Sequence, residues 1–332
     1  MSIAFAARVT ACVTVIGDGH GRQEMAMRLR MGGYQGEASV HTRAARELGA
    51  ALAADGGPEL DLIADVTAAG RNATDLFTMV EGDELDLCYF ASSYLVKRVP
   101  NLAVFDLPFL FADRLALHAR LDGDLGARLG RDIAAATGFE LLGLWDNGAR
   151  HFTNLRGPIH RPDDCAGLRI RTMDSALHQA AFRSLGFEPV YIDVKDYPAA
   201  VRAKDVEAQE NPLTNTVNFG VHETHGHLSL TGHFCGVTLV LGNRARLDEA
   251  AGGPSRAALR AAMRQATEAQ RGFAAAVDAE CLDKLVAAGV AVVGPDAIDF
   301  AAFRQATAGV VADAAAAIDP EVLAAAGLAP AA

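Results

Sequence analysis

Apolar and polar positions along the first half of the chain follow two rhythms in turn. Residues 27–34 (MRLRMGGY) alternate in part and predict a strand. Residues 40–54 place Ala44, Leu48, Ala51 and Leu52 at helical spacing and predict an amphipathic helix. Residues 59–66 (ELDLIADV) alternate again, 73–80 form a short helix stopped near Gly82, and 85–90 (LDLCYF) form a third, largely buried strand. Strand and helix in alternation predict βαβ units and a largely parallel sheet. Residues 105–111 (FDLPFLF) carry Pro108 and are extended or turning; 115–136 are helical, and 140–145 (ELLGLW) form another strand. Residues 147–162, rich in Gly, Pro, Asn and Arg, read as a loop or lobe boundary.

A second series of units follows. Residues 168–173 (LRIRTM) are a strand, 175–185 a helix, 188–192 a strand, and 194–203 a helix crossed by Pro198. Strands recur at 228–230 and 237–241, then a long Ala-rich helix at 257–288 and another at 300–316. The chain is expected to pass between two βα blocks near residue 148. Ligands of open α/β sheets sit beyond the carboxyl ends of the strands, so two facing blocks predict a cleft between lobes.

Composition narrows the partners. In 332 residues, 51% hydrophobic and 21% charged, a well-packed globular protein is expected, and the longest apolar run falls short of a spanning helix. The net charge of −11 excludes nucleic acid as a partner but not a small anion, which answers to the few charges of its own site. Five scattered cysteines without a C-x-x-C pair predict buried free thiols. The apolar stretch 3–17 is interrupted by Arg8 and lacks a basic start and a clean cleavage site, so residues 1–24 read as a degenerate leader or a misplaced start.

Catalytic signatures are weak. Gly17-Asp-Gly-His-Gly21 lacks the glycine that a dinucleotide loop needs at position 22, where Arg22 stands. His222-Glu-Thr-His225-Gly-His227 has Gly226 where a zincin would place its second histidine. A metal-dependent enzyme using these three histidines is the alternative reading; solvated rings in a surface loop are favoured, with no metal, no cofactor and no enzymatic activity expected. Asp163 and Asp164 are expected to form a turn or cap. Arg171 stands apart: it ends a strand beside a helix start, where its planar fork can hold a carboxylate by two parallel hydrogen bonds.

Gly148-Ala-Arg150-His-Phe-Thr-Asn154, Pro158-Ile159 and Pro162-Asp-Asp-Cys-Ala-Gly167-Leu168-Arg-Ile-Arg171 stand in order with Leu185-Gly186-x-x-Pro189, Asp196-Tyr197, Gln209-Glu-Asn-Pro212 and Leu230-Thr-Gly-His233. Together with residues 85–94 and 104–111, this text resembles the substrate-binding proteins of TRAP transporters, the DctP-like family, over most of 27–318. The resemblance implies a two-lobed α/β fold like that of periplasmic binding proteins, with an interlobe ligand cleft and a long spine helix beneath both lobes. Lobe I would hold 25–148 and 237–276, lobe II 149–236 and 277–304, and 305–332 would form a C-terminal helix and tail. It implies a monomer that captures a small organic acid in the periplasm and passes it to integral-membrane permease subunits. Arg171 would be the carboxylate clamp, Asn211 a polar contact, and Arg150 a second hold or a brace for the clamp. Asp174, Ser175 and Val194 would touch ligand from lobe II, and Tyr34, Ser92, Ser93 and Tyr94 would face the cleft from lobe I. Two departures stand out: Val206-Glu207-Ala208 replaces the family's Asp-Gly turn, and residues 90–94 offer no charge to a second acidic group.

Overall fold

A computed structural model describes residues 28–328, apart from 112 and 251–253, so the expected leader lies outside the described residues. The first block begins with β1 (Arg28–Gly32), α1 (Val40–Ala54), β2 (Glu59–Ile63), α2 (Asp75–Glu81) and β3 (Leu87–Ala91). Ser39 caps α1 by accepting from the His41 N–H, and the helix buries Ala44, Leu48, Ala51 and Leu52, the stripe its spacing predicts. Residues 115–136 form two helices, α3 (Arg114–Leu121) and α4 (Asp124–Ala136), parted at Gly123.

The next strand, β4 (Phe139–Asn154), corrects the sequence reading of 147–162: its first half is strand, and the loop begins only after Asn154. Register shifts at Leu141/Gly143, Asp146/Gly148 and Arg150/Phe152 break its alternation and hide it from a period-two pattern. Gly148 takes φ +85°, and a Cβ there would come within 3.1 Å of the Pro212 side chain, so a residue that reads as loop punctuation is a strand bulge. The second block runs through β5 (Arg169–Thr172), α5 (Ala176–Ser184), β6 (Glu188–Tyr191), α6 (Tyr197–Ala203), β7 (Ala208–Asn211) and α7 (Leu213–Asn218). The two short strands expected at 228–230 and 237–241 are one, β8 (His227–Asn243). Then come α8 (Arg244–Ala250), α9 (Pro254–Ala287), β9 (Ala291–Val293), α10 (Phe300–Ala316) and α11 (Pro320–Ala325).

The sheet order is β2-β1-β3-β8-β4-β7-β5-β6, with β9 beside β8. The pairs toward each end of this order are parallel, as expected, but β3–β8, β8–β4 and β4–β7 are antiparallel, so the sheet is mixed. Side chains bury in separate clusters. The two largest draw on Met31, Leu48, Phe90, Phe105, Trp145 and Leu239, and on Phe152, Ile170, Phe182, Phe187, Phe234 and Phe303. The paired long strands β4 and β8 pass through both clusters. Helix α9 packs on α1 and on α7, one from each block. Ile318, Val322 and Leu323, around α11, return to the first cluster. The fold is thus α/β and two-lobed, of the periplasmic-binding type. Among the described residues no helix is long and apolar enough to cross a membrane, and Cys88, Cys165, Cys235 and Cys281 are buried free thiols.

Candidate functional site

The buried strand pattern of β5 carries Arg171 inward, leaving it 3% exposed at the carboxyl end of the strand. Its Nε donates to the Ile192 carbonyl at 3.0 Å, and its guanidinium carbon lies 4.5 Å from the centre of the Tyr197 ring. Its Nη2 is buried and has no hydrogen-bond partner among the described residues. Buried donors are almost always satisfied, so an orphaned charged one is a strong pointer to a missing acceptor.

Arg150 projects from β4 onto Glu210 of β7. Its Nε and Nη2 grip both carboxylate oxygens, Nη2 to Oε1 at 2.7 Å, and Nη2 also reaches the Glu210 carbonyl at 3.0 Å and Asn211 Oδ1 at 3.3 Å. Glu210 is 0% exposed. Burial pushes its carboxyl up, but the Arg150 charge, bonds from His233 and Arg150, and the charge of His178 hold it far below the usual range. His233 lies with Nε2 3.5 Å from Glu210, stacks on Phe152 at 4.0 Å and shares a 2.7 Å bond with Thr231.

Asn211 donates to Gln209 Oε1 at 2.7 Å and to the Tyr197 hydroxyl at 3.4 Å. Burial first of all raises Tyr34, Tyr94 and Tyr197, and both Arg150 and Arg171 pull the Tyr94 hydroxyl back down. Tyr34 feels Arg150 alone, whereas Tyr94 feels both arginines. Their hydroxyls stay neutral donors.

The remaining expected residues divide. Ser175 caps α5, accepting from the His178 N–H at 3.2 Å, and Ser93 donates to Asp106 at 2.6 Å, so both side chains have structural partners. Ser92 is buried, and Val194 joins the core of the opposite block. Asp174 is exposed and accepts from Lys97 Nζ at 2.5 Å across the blocks. Lys195 reaches Asn72 at 2.5 Å in the same way, and His178 Nε2 lies 2.9 Å from Asp106. The two exposed contacts are worth only about 0.2–1 kcal/mol each. Glu210, Gln209, Tyr197, His178 and Asp106 were not singled out as site residues from sequence; their burial as polar groups is the signal that finds them.

The histidine run corrects another expectation. His225 is 0% exposed rather than solvated, because the turn after α7 folds back onto β4, where its Nδ1 meets Thr153 Oγ1 at 3.0 Å. Thr153 accepts from Gln209, which accepts from Tyr197 and Asn211, so His225 ends a chain of hydrogen bonds leading to the arginine site. His222 lies half-buried near the Thr216 carbonyl, and His227 opens β8. Among the described residues no group of three or more His, Cys, Asp or Glu is arranged to hold a metal ion.

Burial pushes His41, His225 and His233 each down to about 4. In the unfolded chain these rings titrate near about 6.5, so unfolding takes up protons between the two values. Their contribution to stability is full above about pH 6.5 and lost as pH falls toward 4. Burial pushes His151 down further, to about 3, so the slope of unfolding free energy against pH at pH 5 should report an uptake of about four protons more than at pH 8. A flat profile between pH 8 and 5 would contradict the buried, neutral rings.

Comparison with known proteins adds three likenesses. The family model described as bacterial extracellular solute-binding protein, family 7 (DctP), matches residues 31–317. The 2,3-diketo-L-gulonate-binding periplasmic protein YiaO of Escherichia coli (strain K12) is 31% identical over 256 residues, 77% of this chain and 76% of that protein. The crystal structure of a TRAP periplasmic solute-binding protein from Polaromonas sp. JS666, bound to D-erythronate, superposes with a TM-score of 0.84 at 26% identity, covering 92% of this chain and 100% of the other.

Proposed function

This chain belongs to the DctP family of bacterial extracellular solute-binding proteins, family 7, and on that premise we propose that it captures a small organic acid between its lobes and delivers it to a membrane permease. The observation that carries the proposal is the buried Nη2 of Arg171, which has no hydrogen-bond partner among the described residues. A ligand carboxylate would supply the acceptor that the protein does not.

With lobe boundaries near 148/149, 236/237 and 276/277, Arg171, Arg150 and Asn211 would stand on one side of the cleft and Tyr34 and Tyr94 on the other. Arg171 would clamp the acid, and Arg150, locked by Glu210, would brace the floor beneath it. Asn211 would contact the ligand by exchanging one of its present partners. Asp174 and Ser175 would edge the cleft from lobe II, and Ser92 and Ser93 from lobe I, with Val194 packed at the lobe contact. Closure of the lobes desolvates the ion pair and strengthens it. Two charged hydrogen bonds at about 1.5–3 kcal/mol each would provide about half of the roughly 8 kcal/mol of a micromolar affinity. In this role the protein works as a monomer in the periplasm, with the TRAP permease subunits as its partner and no chemistry of its own.

Calorimetry across small carboxylates, followed by solution scattering on the tightest binder, tests the reading. The expected result is micromolar binding accompanied by a smaller radius of gyration. Tight binding with no change in radius would place the ligand in a preformed pocket of one lobe and overturn the interlobe site.

A further inference from the structure

The charges around Arg171 limit what the rest of the ligand can carry. We infer that the cleft takes monocarboxylates with a neutral, hydroxyl-bearing body and rejects dicarboxylates of the same skeleton. This inference rests on the reading that Arg171 holds the ligand's acid.

The second guanidinium of the cluster is already spent. Arg150 is bidentate on Glu210, both side chains are buried, and His233 and His178 approach the same carboxylate at 3.5 and 4.0 Å. A ligand carboxylate competing for Arg150 would leave the Glu210 charge unpaired in the interior, which costs more than the new pair returns. Tyr34 and Tyr94 are held neutral by burial and can donate to a hydroxyl or an acid without supplying a counter-charge, whereas Tyr197, also neutral, already gives its proton to Gln209.

The lysines at the lobe contact do not change this balance. Lys97 is taken by Asp174, and Lys195 sits in solvent, donating to Asn72. The nearby carboxylates work against a second acid. Burial raises the Tyr191 hydroxyl, and Asp193, 3.5 Å from it, raises it further, while Arg171 pulls the other way. Asp106, at the lobe contact beside Ser93 and His178, has a buried Oδ2 with no hydrogen-bond partner among the described residues. A carboxylate oxygen in want of a donor favours a ligand hydroxyl and repels a ligand carboxylate. One uncompensated positive charge therefore remains in the cluster among the described residues, and it balances one carboxylate.

Calorimetry at pH 7.5 on the wild-type protein tests this with acids differing only by oxidation of a terminal CH₂OH to carboxylate. The pairs are 4-hydroxybutanoate and succinate, D-erythronate and meso-tartrate, and D-galactonate and galactarate. The monoacid of a binding pair is expected to bind about 100-fold or more tightly than its diacid, the penalty of an unpaired charge in the closed cleft. A diacid that equals or exceeds its monoacid overturns the inference. The same titrations on Arg171→Ala separate the two possible failures. Loss of binding by both members, after the wild type has held them equally, leaves the clamp standing and only the selectivity wrong. Unweakened binding in the alanine variant removes the clamp itself.

Discussion

Arg171→Ala is expected to show no acid binding at ligand concentrations that saturate the wild type, while its unfolding midpoint without ligand stays close to the wild-type value. The first half follows from geometry. The ligand's carboxylate would lose its only uncompensated counter-charge in a site where water is excluded, at a cost of about 3–5 kcal/mol, or roughly 100- to 1,000-fold or more in affinity. The second half follows from the unliganded state. Arg171 makes one bond to the Ile192 carbonyl and one ring contact with Tyr197 and acts on the Tyr94 hydroxyl, yet its buried Nη2 has no hydrogen-bond partner among the described residues, so truncation removes a liability along with modest interactions. Arg171→Lys should rescue little. An ammonium cannot hold the Ile192 carbonyl with one nitrogen and offer a parallel pair to the ligand with others. Calorimetry and thermal shift on both variants decide the matter: wild-type affinity in Arg171→Ala means that the acid is held elsewhere.

The buried, strand-end position of Arg171 is legible from sequence because its logic is local. An arginine at the inward-facing end of a short parallel strand, just before a helix cap, needs only strand alternation to be placed. The amphipathic stripe of α1, the run of α10 over Phe300–Ala316 and the long helix are legible for the same reason. What escapes is whatever depends on distant partners. The second half of β4 looks like a loop because its bulges at Gly148 and Arg150 reset the alternation, and only pairing with β8 makes it a continuation of the strand read at 140–145. The direction of the central strands is likewise a property of that pairing. The protein partners of the Ser93 and Ser175 hydroxyls, Asp106 and the α5 backbone, are also invisible in the sequence. His225 reads as a solvated ring because nothing near it in sequence reveals that its turn closes over Thr153. Glu210 belongs to the run that marks the family resemblance, yet its importance is invisible until Arg150, sixty residues earlier, lands on it.

The Arg150–Glu210 pair is where the largest loss of stability is expected. Glu210→Ala leaves a guanidinium with no counter-charge in the interior, and Arg150→Ala leaves a buried carboxylate; each should lower the unfolding free energy by about 3–5 kcal/mol. Replacing both by apolar residues of similar volume, Arg150→Met with Glu210→Leu, removes the two charges together and should recover most of that loss, because the desolvation penalty of the pair disappears with the pair. A double-mutant cycle in urea reads the coupling directly. The pH dependence supplies a second, independent reading. Glu210 is held far below the usual carboxylate range in the folded protein, whereas the unfolded chain titrates it near about 4.3. Its contribution is therefore complete above about pH 4.3 and is lost as the pH falls below it, so Glu210→Ala should flatten that acid limb. Single variants costing less than about 1 kcal/mol, with the limb unchanged, would mean that Glu210 does not hold Arg150 out of the ligand's reach. In that case Arg150 would be free to meet a second carboxylate. The pair thus links the stability of the lobe to the charge its cleft accepts, and the same two residues answer for both.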